Sequence, residues 1–105
     1  MRNAVGGILR LTYFRSKPAD MELKVLFEEA VKESKLLTDK PSNETLLQLY
    51  SLYKQATEGD NNAEPPANPF DFVSRAKYEA WMNVKGKSTD QAMQEYVALI
   101  NKLKN

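Results

Sequence analysis

The chain has 105 residues, 42% of them hydrophobic and 28% charged, which is typical of a single soluble globular domain. Cysteine and histidine are both absent. Their absence excludes disulfides, thiolate zinc sites, iron–sulfur clusters and every catalytic triad that uses either residue. The formal net charge of +1 is too small for sequence-independent binding of nucleic acid, where many phosphates are neutralised together. The composition therefore argues against most enzymes and against a nucleic-acid partner, and nothing in it calls for a metal or another cofactor.

Residues 1–20 differ from the rest of the chain because they hold four basic residues and only one acidic residue, Asp20. An arginine-rich, acid-poor N-terminus is typical of a mitochondrial transit peptide. The alternative is a disordered extension in front of a domain at residues 21–105. Arginines beside short apolar stretches also favour transient contact with a membrane surface. We expect a cytoplasmic protein, with a mitochondrial location as the alternative that a transit peptide would bring.

Helical periodicity begins at Met21 and produces two predicted helices before residue 60. Pro41 is expected to end the first helix, because proline disfavours helical geometry in the residue before it. Ser42 or Asn43 is suited to cap the second helix, and Gly59 is suited to end it. The apolar positions at spacings of three and four are Leu23, Phe27, Ala30 and Val31 in the first helix, and Leu46, Leu49, Tyr50 and Tyr53 in the second.

Residues 60–70 are rich in Asn and Pro and predict a loop, after which two more helical stripes follow. The third helix is expected from about Val73 to Val84, closed by Gly86, and the fourth from a capping box that begins at Ser88. No stretch alternates as a β-strand does. The pattern predicts an all-α fold, a small antiparallel bundle of four helices of roughly 12–18 residues.

Tyr50, Tyr53 and Lys54 lie at positions i, i+3 and i+4, so they share one helix face. Two phenol rings beside an ammonium group form a surface that can stack a flat base and hold a phosphate. Lys77, on the third helix, is a further candidate phosphate contact. The alternative for this face is a structural one, with the tyrosines in the core and the lysines in solvent. The spacing by itself favours that alternative.

The segments YSLYKQATEGD (residues 50–60), AKYEAW (76–81) and KGKSTDQAMQEYV (85–97) resemble the acyl-CoA-binding protein family. The resemblance covers about residues 22–104. It implies an up-down-down-up four-helix bundle that binds fatty acyl-CoA thioesters of medium to long chain without converting them. Such a protein is an intracellular carrier that forms a pool of acyl-CoA, acts as a monomer and delivers its ligand to acyl-CoA-using enzymes.

The resemblance also implies a set of binding residues. The nucleotide end would be held by lysines and tyrosines, and the acyl chain by apolar residues of the first two helices. Carried over position by position, the first group is Lys35, Lys40, Tyr50, Tyr53, Lys54, Lys77 and Tyr96, and the second is Phe27, Ala30, Val31 and Leu47.

The chain departs from the family pattern at three places. Val73 replaces a basic residue that many members carry, although Arg75 lies nearby. A tryptophan pair of the family is reduced to Tyr78 and Trp81. The loop at residues 60–70 is one residue longer, which could alter chain-length preference.

Two other classes of function are weighed against the carrier. One is a helical protein-interaction module that binds no small ligand. The other is an enzyme, for which carboxylates such as Glu28, Asp60 and Glu64 are present but show no spacing that would place two of them across a pocket. We therefore expect no enzymatic activity.

Overall fold

The computed structural model describes residues 18–104 and the side chains from Met21 onward. Four helices account for the regular structure of this part of the chain: α1 (Pro18–Ser34), α2 (Asn43–Glu58), α3 (Phe72–Met82) and α4 (Thr89–Leu103). The all-α prediction is confirmed. The predictions for residues 1–17, namely a transit peptide, a disordered extension or membrane contact, lie outside the described residues, and the division into 1–20 and 21–105 stays a prediction.

Three helix ends are set by local capping that the sequence had indicated. The hydroxyl of Ser42 accepts a hydrogen bond from the Thr45 amide at 3.1 Å, so Ser42 rather than Asn43 is the N-cap of α2. Ser88 caps α4 by accepting from the Gln91 amide at 3.0 Å. Gly59 follows α2 with a φ of 80°, which a residue with a Cβ rarely adopts.

Helix α1 differs from its prediction at both ends. It begins at Pro18, three residues before Met21, because a proline suits the first helical turn, where its missing N–H has no partner in any case. It ends at Ser34, so the prediction that Pro41 terminates it is wrong. The amides of Lys35 and Leu36 donate to carbonyls three residues earlier, at 3.2 and 2.9 Å, which tightens the last turn and closes the helix well before the proline.

Helix α3 is shorter than its apolar stripe suggested. Asp71 caps it by accepting from the Ser74 amide at 3.1 Å, so the helix starts at Phe72. It ends at Met82, and Val84 already belongs to the turn that leads to Gly86, whose φ is 92°.

The core lies among α1, α2 and α4. Helix α4 packs on both α1 and α2, whereas α3 packs on α2. The buried cluster consists of Phe27 and Ala30 from α1, Leu49, Leu52 and Ala56 from α2, and Ala92, Tyr96 and Ile100 from α4. Trp81 of α3 is buried outside this cluster and its indole N–H donates to the carbonyl of Gly59 at 2.9 Å.

Contacts across the helix pairs give the direction of each helix. The ammonium of Lys77 lies over the ring of Tyr50, and that of Lys54 lies over the ring of Trp81. Both helices advance by four residues from one contact to the next, so α2 and α3 run in parallel.

The same reasoning orders the other helices. Along α1, Phe27 packs on Tyr96 and Glu33 pairs with Lys104, so α1 and α4 are parallel. The side-chain amide of Gln55, near the end of α2, donates to the carbonyl of Lys87, two residues before α4 begins, so α2 and α4 are antiparallel. The order is therefore up-down-down-up.

Hydrogen bonds fasten the end of α2 to the turn between α3 and α4. The Gln55 side-chain amide donates to Asp60 Oδ1 at 2.8 Å and to the Lys87 carbonyl at 2.7 Å. The Gly86 amide also donates to Asp60 Oδ1, at 2.8 Å. The Gly86 amide, followed by the Gln55 amide, lowers the pKa of the Asp60 carboxyl below its ordinary value.

Candidate functional site

Two ammonium groups lie on the seam where α3 packs against α2. Lys54 Nζ is 4.8 Å from the centroid of the Trp81 ring, and Lys77 Nζ is 5.3 Å from that of Tyr50. Both distances permit cation–π attraction. Because the two contacts are four residues apart on parallel helices, they are separated by about 6 Å along the helix axis. The seam therefore presents two cations and two aromatic faces within one helical turn.

Lys54 also has an acidic partner on its own helix. Its ammonium donates to the carboxylate of Glu58, one turn further along α2. This hydrogen bond is the main reason that the pKa of Lys54 is raised above its ordinary value, while partial burial opposes the rise. An anionic ligand that binds Lys54 must therefore compete with the Glu58 carboxylate.

A hollow of about 540 Å³ lies between α1 and α2, with α4 beneath it. Its size is within the range of small-molecule sites. On the α1 side of this hollow, apolar side chains alternate with charged ones. The lining residues are Lys24, Phe27, Glu28, Val31, Lys32, Tyr53, Ala56, Thr57 and Met93.

A second hollow of about 250 Å³ continues toward the start of α2. It is mainly apolar and aromatic, and its lining consists of Ser34, Leu37, Pro41, Leu46, Leu49, Tyr50, Tyr53 and Tyr96. Tyr53 lines both hollows and thus stands between them. Tyr50 joins the smaller hollow to the seam, because its ring also carries the ammonium of Lys77.

The rings of Phe27, Tyr53 and Tyr96 pack together between the two hollows. The Tyr53 ring stacks on Phe27 with centroids 6.0 Å apart, and Phe27 meets Tyr96 edge-on at 5.1 Å. Tyr96 is buried, and this burial raises the pKa of its phenol above the ordinary value of about 10, at which a phenol is already neutral at physiological pH. Tyr96 therefore offers an uncharged hydroxyl and a ring at the base of the smaller hollow.

The structure brings together most of the residues that the sequence singled out. Phe27 and Val31 line the larger hollow, and Tyr50, Tyr53 and Tyr96 line the smaller one. Lys54 and Lys77 lie on the adjoining seam. Lys35 and Lys40 are exposed and directly adjoin Ser34 and Pro41, two residues of the smaller hollow.

Two predicted acyl-chain contacts lie elsewhere. Ala30 is buried in the core, and Leu47 is half-buried and lines neither hollow. The lining of the smaller hollow instead includes Leu46 and Leu49, which sequence reasoning placed only on the apolar stripe of α2. Leu46 stands four residues before Tyr50 and Leu49 four before Tyr53, and this helical spacing was the available signal. Leu47 stands three before Tyr50, so spacing alone does not exclude it.

Charged residues beside the larger hollow were also missed, namely Lys24 and Lys32 on α1. Arg75 lies near Val73, which stands where many family members carry a basic residue. Its guanidinium donates to the Pro69 carbonyl at 3.4 Å, toward the loop before α3.

Two further observations concern residues 18–104 only. No helix in this range combines the length and apolar character needed to cross a bilayer. No group of three or more carboxylates there is arranged to hold a metal ion.

The chain is similar to proteins of one family. Residues 24–100 match the family model described as Acyl CoA binding protein. The acyl-CoA-binding protein of Saccharomyces cerevisiae is 53% identical over 78 residues, which cover 74% of this chain and 88% of that protein. The acyl-CoA-binding protein of Brassica napus is 49% identical over 83 residues, 79% of this chain and 89% of that one.

Solved structures agree with the sequence relatives. The crystal structure of Oryza sativa acyl-CoA-binding protein 2 superposes with a TM-score of 0.76 at 42% identity, covering 80% of this chain and 90% of that one. The protein called ACBP from Moniliophthora perniciosa gives a TM-score of 0.71 at 37% identity, over 76% and 78% of the two chains. The chain therefore belongs to the acyl-CoA-binding protein family.

Proposed function

We propose that this protein binds fatty acyl-CoA thioesters of medium to long chain and carries them unchanged, as a binding protein and not an enzyme. The observation that carries the proposal is the continuity of a cationic, aromatic seam with two hollows. Tyr50 joins the seam to the smaller, apolar hollow, and Tyr53 joins that hollow to the larger one. An acyl-CoA has a matching design, with a polyanionic nucleotide at one end and an alkyl chain at the other.

The nucleotide end is assigned to the seam and its surroundings. Lys77 and Lys54 supply charge-assisted hydrogen bonds to phosphate oxygens, and Tyr50 supplies a face for stacking. Lys35 and Lys40 are exposed and are chain neighbours of Ser34 and Pro41 in the smaller hollow, and we assign them to further phosphate charge. Each charged contact contributes about 1.5–3 kcal/mol, and together these contacts distinguish a CoA ester from a free fatty acid.

The acyl chain is assigned to the hollows. Burial of each methylene contributes about 0.8 kcal/mol, so a long chain supplies ample driving force even when half of it is covered. Phe27, Val31 and Met93 offer apolar contact in the larger hollow. This apolar term is the same for a fatty acid and for its thioester, so it sets affinity and not selectivity.

Isothermal titration calorimetry with palmitoyl-CoA, palmitate and free CoA tests the proposal. We expect the thioester to bind far more tightly than either fragment. Lys77→Ala should weaken its binding about tenfold or more, whereas Lys85→Ala, at an exposed lysine in the turn after α3, is the matched control and should not. Equal affinity for palmitate and palmitoyl-CoA would reject the assignment.

The same variants distinguish a carrier from a helical module that only contacts another protein, since the function of such a module would not depend on Lys77.

We further propose a monomer that releases acyl-CoA to the enzymes that use it, in the cytoplasm, or in mitochondria if residues 1–20 direct it there. Size-exclusion chromatography with light scattering measures the oligomeric state. A fluorescent fusion with and without residues 1–20 tests the location in the cell.

A further inference from the structure

Four large apolar side chains are strongly exposed in the segments that follow α1 and begin α3. Phe70, Phe72 and Val73, at the start of α3, are 78%, 72% and 66% exposed, and Leu36, in the turn after α1, is 76% exposed. We call this group the apolar tip. A group of large apolar side chains as exposed as these commonly marks a surface that contacts a partner or a membrane.

The helix order places all four at one end of the bundle. In an up-down-down-up arrangement, the end of α1, the starts of α2 and α3 and the end of α4 lie together. Lys77 beside Tyr50 fixes the register of α3 on α2, and the same offset sets Val73 next to Leu46. Leu46, Leu37 and Pro41 line the smaller hollow, so this hollow adjoins the apolar tip.

The domain is also polarised in charge. The segments that form this end, residues 33–46, 70–77 and 100–104, contain six basic and four acidic residues. The remainder of residues 21–105 contains five basic and nine acidic residues. Two of the four acids at the tip end are engaged: Glu33 pairs with Lys104, and Asp71 caps α3. The end that carries the four most exposed large apolar side chains is thus the cationic end of an otherwise acidic domain.

We propose that the apolar tip docks on the surface of an anionic lipid bilayer. Phe70 and Phe72 enter the interfacial region, and the surrounding lysines and Arg75 face the lipid phosphates. Apolar insertion together with a cationic rim is the combination that holds peripheral proteins on such surfaces. The acidic remainder of the domain is repelled by the same surface, which orients the molecule with its tip toward the lipid.

The arrangement favours lipid over a protein partner. The exposed side chains belong to a loop end and to helix ends, and exposed lysines lie among them, as suits a fluid surface that fills any gap. Docking here also sets the smaller hollow beside the bilayer, the phase in which a long acyl chain dissolves. This inference goes beyond ligand binding, and it is tested without any acyl-CoA.

Sedimentation of the full chain with vesicles tests the proposal. Vesicles of phosphatidylcholine alone are compared with vesicles that also contain about 30% phosphatidylserine, each at low and high salt. We expect binding to the anionic vesicles that weakens with salt. The double variant Phe70→Ala/Phe72→Ala should lower the partition coefficient about tenfold or more. The double variant Met21→Ala/Leu26→Ala removes two large exposed side chains from α1 as a matched control and should stay within about twofold of the parent.

A second measurement uses the absence of cysteine from the chain. A polarity-sensitive dye is attached to Val73→Cys, and in a separate variant to Asn83→Cys, an exposed position after α3 at the opposite end. Anionic vesicles should shift the emission of the dye at position 73 to the blue and leave that at position 83 unchanged. The proposal is overturned if the full chain does not bind anionic vesicles or if both dyes respond alike. It is also overturned if the Phe70/Phe72 variant binds these vesicles as the parent does, which is the result expected if the arginines of residues 1–17 were responsible.

Discussion

The ion pair between Lys54 and Glu58 makes a specific prediction about ligand affinity. The Glu58 carboxylate pairs with the ammonium of Lys54, which is assigned to phosphate binding. It also places a negative charge within one helical turn of the site assigned to the polyanionic nucleotide. Replacement of Glu58 by Gln keeps the shape of the side chain and removes the charge. We expect Glu58→Gln to bind acyl-CoA more tightly than the parent protein.

The size of the gain follows from two contributions. The Glu58 side chain is 53% exposed, so its pair with Lys54 is worth only about 0.3–0.5 kcal/mol, which the ligand need no longer displace. Repulsion between the carboxylate and one phosphate charge about 8 Å away is about 0.5 kcal/mol in water, and salt reduces it further. Together these contributions give about 0.5–1 kcal/mol, or about two- to fivefold tighter binding.

Calorimetry with palmitoyl-CoA on four proteins tests the reasoning: the parent, Glu58→Gln, Lys54→Met and the double variant. Lys54→Met should weaken binding about tenfold or more. In that background Glu58→Gln should lose the part of its gain that comes from freeing the lysine. Unchanged or weaker binding by the single variant Glu58→Gln would refute the role given to Lys54.

Three further predictions concern stability. Tyr53→Ala removes a ring that stacks on Phe27 but is 40% exposed, so urea denaturation should show a loss of about 1–2 kcal/mol in the free energy of unfolding; no loss would contradict the packing. Gly86→Ala should lower the free energy of unfolding by about 1 kcal/mol because of the positive φ alone, since the added Cβ would meet no neighbouring atom within 4 Å. A neutral effect in the same assay would argue against this turn. Asp60→Asn should lower the Tm at neutral pH. Because the folded pKa of Asp60 is depressed, its contribution is present above the unfolded pKa of about 3.9 and is lost as pH falls through the lower folded value. The two melting temperatures should therefore converge in acid, and a constant difference between them would be the contrary result.

Local signals in the sequence predicted the helix ends that depend on neighbouring residues. Ser42, Gly59 and Ser88 act within three or four residues, so their roles can be recognised from composition and spacing. The end of α1 could not be predicted in this way, because no cap or breaker stands at Ser34. Pro41, the obvious breaker, comes only after the chain has already left the helix.

Contacts between distant segments account for the rest of what the sequence did not predict. The bond from Gln55 to the Lys87 carbonyl spans 32 residues and has no local signature. Likewise, the positions of Lys24 and Lys32 beside the larger hollow depend on how α1 is set against α2. Periodicity assigns a residue to a face of its own helix, but not to the neighbour that the face will meet.

The packing of α1 has a consequence for the dynamics of the ligand-free protein. This helix rests mainly on α4, and the hollow leaves much of its flank toward α2 uncovered. A bound alkyl chain would fill that gap and join α1 to α2 from within. Amide protons of α1 should thus exchange with deuterium through partial opening at a lower free energy than those of α4, and they should slow the most when the cavity is filled.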